Sequence, residues 1–283
     1  MGVLFTRQQV LDRLLQTIAQ RQAVLGAGCS NGLVAKCAEI AGADLIIVYS
    51  TGISRMMGLP TSRLGDSNAI TLQMCDEIWN IVEHTPLVAG IEGTDPTRRD
   101  FVRLLSTFRE RGYSGVINFP NITGLGEYYR RRREKVGYGF AREVEMMRTA
   151  RKLDMFTMAY VYSADEARQM IEAGVDCVAA HVGPTEGGLS GVHYDDTLES
   201  ALQQVTQIVQ AAKAANPDVI CLAHGGPFAE PEDTAVLYDI PGVVGFVGAS
   251  SIERIPIEKA VTDAVRRFKR AKSCHLLGKA GAR

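Results

Sequence analysis

The segment AEIAGADLIIV, residues 38–48, runs from the last turn of an amphipathic helix through a glycine turn into a short apolar strand. The segment MIEAGVDCVAA, residues 170–180, repeats this order, with Gly174 where the first segment has Gly42. Glycine often follows the last helical residue because it adopts the left-handed conformation without steric cost, so both segments predict a helix that turns directly into a strand. A unit of this kind that recurs along a chain indicates alternating helices and parallel strands.

Eight apolar runs of strand length alternate with helical stretches along the chain. They are rich in Val, Ile and Ala, which is typical of parallel strands that are buried on both faces. The strands are predicted at residues 23–29, 45–50, 86–93, 115–120, 156–163, 177–183, 219–226 and 243–250. The helices are predicted at residues 33–42, 71–84, 98–112, 142–154, 164–174, 198–215, 231–240 and 257–272. Eight such units predict an α/β fold of the (β/α)8 type, the TIM barrel.

An open, doubly wound sheet is the competing architecture. Such a sheet commonly carries the spacing GxGxxG after its first strand, whereas this chain has GAGCSNG at residues 26–32. The different glycine spacing and the number of units favour the barrel.

We predict a single domain over residues 1–283, with an additional N-terminal helix at 6–20, the barrel at 23–272 and a tail at 273–283. The N-terminal helix carries a broad apolar stripe. Its members are Val10, Leu11, Leu14, Leu15 and Ile18. A stripe wider than a free surface helix needs predicts either a lid over the N-terminal end of the barrel or a contact in a homo-oligomer.

The composition excludes several kinds of partner. A formal net charge of −1 gives no overall attraction to nucleic acid or to an anionic membrane surface. No apolar run approaches the ~20 residues that cross a bilayer. The six cysteines lack a CxxC pair and no signal peptide precedes them, which indicates reduced thiols. We expect a cytoplasmic protein without a membrane or nucleic-acid partner.

Polar residues at the carboxyl ends of the predicted strands are the candidates for function, because barrels of this type place their sites there. The loops after strands two, four and six exceed the usual ~2–6 residues and are expected to cover a ligand. The candidate residues are Ser50, Gly52, Asp66, Glu92, Asp95, Asn118, His181, His224, Gly225, Gly226, Ser250 and Ser251.

Two glycine-containing segments predict a site for a small anion. HGGP at 224–227 and GASS at 248–251 follow the last two strands, where this fold usually binds phosphate. We expect backbone N–H groups of Gly225, Gly226 and Ser251, with the Ser250 hydroxyl, to bind the anion. The alternative is that the glycines only form tight turns.

The remaining candidates predict a metal and proton transfer. Carboxylates at a strand end suit Mg²⁺, so Glu92 and Asp95 are the predicted metal ligands or acid–base groups. Asp95 could instead cap the following helix, and Asp66 could be a surface residue rather than a third catalytic acid. His181 and His224 end their strands, which favours roles in proton transfer or ligand binding.

The chain as a whole resembles a known family through motifs that extend from the first strand to the last helix. They include GAGCSNGLVAKCAEIAGADLIIVYSTGIS, GLPTSRLGDSNAI, GIEGTDP, GVINFPNITGL, GYGFAREVEMMRTA, AHVGPTEGG, LAHGGPFAEPEDT and GASSIERIPIEKAV. The chain is similar to the phosphoenolpyruvate hydrolase-like, or phosphonopyruvate hydrolase-like, TIM-barrel family. This family is related to the phosphoenolpyruvate mutase and isocitrate lyase superfamily and to the C-terminal domain of a plant virus-resistance protein.

The resemblance implies enzymes that bind 2-oxo acids through Mg²⁺. The segment YSTG at 49–52 is similar to the one that holds the oxo acid, which implies this role for Ser50 and Gly52. The segment GDSN at 65–68 matches the one that carries an active-site aspartate, here Asp66. The superfamily's paired aspartates are represented only by Glu92 and Asp95, and its Lys-Lys-x-Cys loop and strand-five arginine are absent.

Two main functions follow from these observations, and a different, metal-free reaction on a phosphorylated substrate is a further alternative. The first is an Mg²⁺-dependent hydrolase or lyase that acts on phosphonopyruvate, phosphoenolpyruvate or a similar oxo acid. The second is a barrel that binds a phosphorylated small molecule or a protein partner without catalysis, since fold alone does not determine function.

Overall fold

Eight parallel strands close into one barrel in chain order, as a computed structural model of residues 2–191 and 197–276 shows. The strands are β1 (Val24–Gly28), β2 (Leu45–Val48), β3 (Leu87–Gly90), β4 (Gly115–Ile117), β5 (Phe156–Val161), β6 (Cys177–His181), β7 (Ile220–His224) and β8 (Val243–Gly248). Each predicted strand is present, and pairing of Gly26 in β1 with Val247 in β8 closes the barrel. The predicted TIM-barrel fold is confirmed.

Helices cover the outside of the barrel and cap its ends. They are α1 (Arg7–Ala19), α2 (Gly32–Ile40), α3 (Thr51–Met56), α4 (Ser67–Trp79), α5 (Phe101–Glu110), α6 (Glu127–Lys135), α7 (Phe140–Lys152), α8 (Ala164–Glu172), α9 (Leu198–Ala215) and α10 (Arg254–Leu276). The short helices α3 and α6 occupy stretches that we predicted as loops after strands two and four. Most of the predicted tail lies outside the described residues.

One predicted helix has a different type. The segment Pro231–Asp239 forms a 3₁₀ helix rather than the α-helix expected at 231–240. Only Leu237 of this segment is buried. Tertiary packing of an apolar face supplies most of the stability of short α-helices. This segment buries little apolar surface, so such packing contributes little to its stability.

The helix α1 closes the N-terminal end of the barrel. Its side chains Val10 and Leu14 are fully buried in the same apolar cluster as Val24 and Phe156, which begin β1 and β5. Arg7 anchors the helix, with its Nη2 2.5 Å from an Asp176 carboxylate oxygen. Val10 and Leu14 are therefore explained by lid formation, whereas Leu15 is 50% exposed, and self-association stays a prediction.

The last helix leaves most of its surface uncovered. In α10 the apolar side chains of Val261, Val265 and Phe268 are exposed. None of the described helices combines the length and the apolarity that crossing a bilayer requires.

Candidate active site at the mouth of the barrel

A cavity of about 320 Å³ opens at the carboxyl ends of the strands. Its lining includes Tyr49, Arg55, Arg63, Phe119, Asn121, Tyr162, His181, His224 and Ser250. These side chains lie at the carboxyl ends of six different strands or in the loops that follow them, as expected where parallel strands end together. Of the predicted site residues, His181, His224 and Ser250 line this cavity.

Two histidines form the polar centre of the cavity. His181 is the last residue of β6 and His224 the last of β7, and the two are paired in the register of these strands. Their ring centroids lie 4.6 Å apart in a T-shaped arrangement. Both side chains are buried, so burial disfavours a charge on either ring.

The backbone assigns the tautomer of His224. Its Nδ1 lies 2.7 Å from the carbonyl oxygen of Val247, which can only accept a hydrogen bond. Nδ1 therefore carries the proton, and Nε2 has a free lone pair. Burial, and to a smaller extent the positive charge of Arg55, lower the pKa of His224 to about 4 against the opposing effect of this hydrogen bond. At neutral pH the imidazole of His224 is therefore neutral and can accept a proton at Nε2.

His181 has the opposite tautomer. The backbone N–H of Gly183 donates to its Nδ1 over 3.1 Å. In the neutral ring the proton must then lie on Nε2, which makes this nitrogen a donor. Burial and the neighbouring His224 lower the pKa of His181 well below its usual value. The cavity therefore contains one neutral imidazole that accepts a proton and one that donates a hydrogen bond.

Aromatic rings surround the two histidines. Tyr162 stacks on His181 at 4.3 Å between ring centroids. The fully buried Tyr160 packs against His181 at 4.9 Å and against His224 at 4.7 Å. Phe119 lies 4.9 Å from the ring of Tyr49 and 5.4 Å from that of Tyr160. These contacts hold both imidazole planes in place.

A buried ion pair that the sequence did not predict supports the same region. Arg55 in α3 donates through Nε to Glu253 over 2.6 Å, and Ser30 donates its hydroxyl to the same carboxylate. The Arg55 guanidinium lies 5.5 Å from the centre of the Tyr49 ring. Burial would lower the pKa of Arg55, but Glu253 outweighs this effect and raises it. Arg55, which lines the cavity, therefore remains positively charged.

The three predicted carboxylates are already bound to other groups. Glu92 is buried and forms an ion pair with Arg63 at 2.6 Å, and burial raises its pKa despite this partner. Asp95 accepts from the backbone N–H and hydroxyl of Thr97 at 2.8 and 2.7 Å. Burial would raise the pKa of Asp95, but these hydrogen bonds outweigh it and lower the pKa.

Asp66 lies at the start of α4. It accepts from the backbone N–H of Ala69 at 2.9 Å and pairs with Arg98 at 3.0 Å. Neither Asp66, Glu92 nor Asp95 belongs to the cavity lining. Within the described residues no three His, Cys, Asp or Glu side chains lie close enough together to hold a metal ion jointly. In this arrangement one carboxylate oxygen of Glu92 and both oxygens of Asp66 and Asp95 already have partners, which leaves few oxygens for Mg²⁺.

The glycines of the predicted anion site serve the turn after β7. Gly225 and Gly226 have φ angles of +83° and +59°, which favour glycine. The backbone N–H of Gly226, which we expected to bind the anion, donates to Gly183 O over 3.0 Å. A Cβ atom on Gly225 would lie 1.9 Å from the same oxygen. The tight-turn alternative therefore accounts for the conformation of both glycines, while anion binding by the N–H groups of Gly225 and Ser251 stays a prediction. Ser251 has a buried hydroxyl without a hydrogen-bond partner in the described part of the chain.

We expect Gly225→Ala to lower the free energy of unfolding of the ligand-free protein by about 3 kcal/mol or more, because strain and a backbone clash combine. Gly58→Ala is the matched control, since Gly58 also has a positive φ of +74° but no atom within 4 Å of a Cβ position. It should cost only about 1 kcal/mol. Urea unfolding measures both, and equal effects would show that the contact with Gly183 is unimportant.

Three further candidate residues, Ser50, Gly52 and Asn118, are buried. Gly52 in α3 donates its N–H to Tyr49 O over 2.9 Å, and a Cβ there would lie 2.5 Å from Ser30 Cβ. Ser50 is fully buried, and its hydroxyl has no partner among the described residues. Asn118 is fully buried and donates to Glu143 over 2.7 Å, so it links β4 to α7. These three residues do not line the cavity, and their binding roles stay predictions.

Comparison with known proteins identifies the family to which this chain is similar. The profile of the phosphoenolpyruvate hydrolase-like family matches residues 9–271. The chain belongs to this family. The predicted family resemblance is thereby confirmed.

Two tomato (Solanum lycopersicum) proteins are similar to the chain. The ToMV susceptible protein tm-1(GCR26) is 39% identical over 270 residues, which cover 92% of this chain and 35% of that protein. The ToMV resistance protein Tm-1(GCR237) is 38% identical over 273 residues, which cover 93% of this chain and 35% of that protein. The chain thus spans about a third of the length of these relatives.

The fold is shared with solved structures of low sequence identity. A crystal structure of phosphonopyruvate hydrolase in complex with oxalate and Mg²⁺ superimposes with a TM-score of 0.62 at 20% identity. The match covers 95% of this chain and 88% of that chain. At this sequence identity the structural match supports the fold alone. The chemistry must therefore be inferred from the residues that line the cavity.

Proposed function

We propose that this chain is a hydrolase or lyase that acts on a small carboxylic acid with a carbonyl group. One observation carries the proposal: two neutral, buried histidines with opposite tautomers line one cavity at the functional end of a TIM barrel. Enzymes need a base and a hydrogen-bond donor side by side when they move a proton next to a carbonyl group.

Each histidine has a separate task. The lone pair on Nε2 of His224 accepts a proton, either from the carbon beside the carbonyl or from an attacking water. The Nε2–H of His181 donates a hydrogen bond to the carbonyl oxygen, where negative charge develops in the transition state. A neutral imidazole is an effective donor for this purpose and needs no net charge.

Arg63 supplies the positive charge that a carboxylate substrate requires. It lines the cavity, and its side chain is 36% exposed, whereas that of Arg55 is 2% exposed. Its ion pair with Glu92 involves Nη2, which leaves further N–H donors on the guanidinium. Dependence on Mg²⁺ stays a prediction from the family resemblance, and the roles given to the two histidines require no metal.

The pH dependence of turnover tests the proposal. Because the pKa of His224 is lowered to about 4, the base form is present at neutral pH and is lost only as the pH falls through about 4. We expect kcat/KM to stay level from about pH 8 to pH 5, unlike that of a free imidazole with a pKa near ~6.5. The assay follows hydrogen exchange in D₂O by NMR, and product formation, for pyruvate, phenylpyruvate and phosphonopyruvate.

Each assay is repeated with chelator and with added Mg²⁺, which measures metal dependence independently. A decline of kcat/KM that is centred near pH 6.5 would contradict the assignment of His224 as the base. Binding of these acids without exchange or product formation at any pH would favour the non-catalytic alternative.

A further inference from the structure

The walls of the cavity are unusually rich in flat rings. Five of its lining residues carry one, namely Tyr49, Phe119, Tyr162, His181 and His224. Tyr162 and His181 are nearly parallel, with an angle of 23° between the rings, and Phe119 and His181 differ by 22°. A cavity bounded by ordered rings favours a ligand with a flat apolar body, because such a body stacks on the rings without ordering flexible side chains.

The charges at the cavity are balanced. Arg55 is paired with Glu253 and Arg63 with Glu92, and both histidines are neutral. In the described part of the lining no cation lies without an opposing carboxylate. A ligand with a single carboxylate adds one negative charge, which the N–H donors of Arg63 that Glu92 leaves free can meet with hydrogen bonds. A ligand with both a phosphonate and a carboxylate would bring negative charge that these residues do not neutralise.

One polar group in the cavity wall lacks a partner. Asn121 lines the cavity and is 4% exposed. Its Oδ1 accepts from the backbone N–H of Gly124 over 2.8 Å, which assigns the orientation of the amide. The buried Nδ2 has no hydrogen-bond partner among the described residues. A buried donor without an acceptor is costly, so this nitrogen favours a ligand oxygen.

We infer that the cavity selects a 2-oxo acid that carries one carboxylate and an aromatic ring, of which phenylpyruvate is the simplest example. The ring stacks on the aromatic wall at Tyr162, an oxygen of the ligand accepts from Asn121, and the carboxylate binds Arg63. The inference rests on the proposed function for the position of the carbonyl group, which lies beside Nε2 of the two histidines.

Calorimetry on His224→Asn, in which turnover is expected to be very slow, measures binding separately from catalysis. We expect phenylpyruvate to bind at least about tenfold more tightly than pyruvate and more tightly than phosphonopyruvate. Binding of phosphonopyruvate as strong as that of phenylpyruvate would overturn the inference.

The same compounds, tested for turnover by the wild-type protein, distinguish the two proposals. Turnover of phosphonopyruvate without binding of phenylpyruvate would contradict the inferred ligand class and leave the acid–base function standing. Tight binding of phenylpyruvate with no turnover of any compound would support the ligand class and contradict the acid–base function.

Two substitutions locate the binding contacts. Tyr162→Leu should weaken phenylpyruvate binding about tenfold and leave pyruvate binding within about threefold, because only phenylpyruvate has a ring to stack. Tyr162→Phe keeps the ring and should retain phenylpyruvate binding within about threefold. Equal effects of Tyr162→Leu on both acids would show that stacking does not select the ligand.

Asn121→Asp tests the polar contact. Aspartate keeps an oxygen for the Gly124 N–H but replaces the donor Nδ2 by a second, negatively charged acceptor. We expect at least about tenfold weaker binding of both phenylpyruvate and pyruvate. Unchanged binding of both acids to this variant would exclude Asn121 from the ligand site.

Discussion

Replacing His224 by asparagine is expected to lower kcat/KM about a thousandfold while the protein stays folded. The asparagine amide can still donate to the carbonyl of Val247, as Nδ1 of the imidazole does at 2.7 Å. It has no group in the position of Nε2, so the base is lost. Removal of a positioned general base typically costs between about 10² and 10⁴ in rate.

The control for this variant is His84→Asn, because His84 has an exposed side chain outside the cavity and should show wild-type activity. His181→Asn is the complementary variant, since the asparagine oxygen can accept from Gly183 N–H while the donor at Nε2 is lost. Thermal unfolding checks that each variant is folded. Retention of wild-type kcat/KM by His224→Asn would exclude His224 as the base.

Glu253→Gln is expected to lower the free energy of unfolding by about 3 kcal/mol. The substitution preserves the size of the side chain but leaves the Arg55 guanidinium buried without an opposing charge, and breaking such a pair costs roughly 3–5 kcal/mol. Chemical denaturation at neutral pH measures the effect. Asp263→Asn is the matched control, because the contact of Asp263 with Arg267 is exposed and 3.9 Å long and should contribute under about 0.5 kcal/mol.

A double variant separates charge from packing at this position. With Arg55→Met and Glu253→Met together, no charge is left without a partner, so much of the lost stability should return. A double variant that is as unstable as Glu253→Gln alone would mean that the shape of these side chains matters more than their charges. A loss below about 1 kcal/mol for Glu253→Gln itself would contradict the role of the pair.

The strands, most of the helices and the functional end of the barrel could be predicted from the sequence. Each strand can be predicted from a short apolar run, such as LIIV at 45–48, which follows a helix and a glycine turn. His181 and His224 were located at the mouth because both end a predicted strand, and the ends of parallel strands meet at one edge. These inferences require only the order of residues along short segments.

The partners of the polar groups could not be predicted in this way. Glu92 was expected to bind a metal, but the loop after β2 brings Arg63 to within 2.6 Å of it. Gly226 was expected to donate to an anion, but the loop after β6 supplies the oxygen of Gly183. In both cases the partner comes from the loop of another βα unit, and no local pattern reports the distance between two such loops.

The sequence by itself determined a barrel of eight βα units with its polar residues gathered at one end, because strand and helix periodicity depends on neighbouring residues. Only the tertiary structure decided which polar groups remain available for a ligand. Arg55 and Glu253 are 198 positions apart and meet because the barrel closes. The tautomers of His181 and His224 likewise depend on the backbone groups that closure places beside each ring, Gly183 N–H and Val247 O.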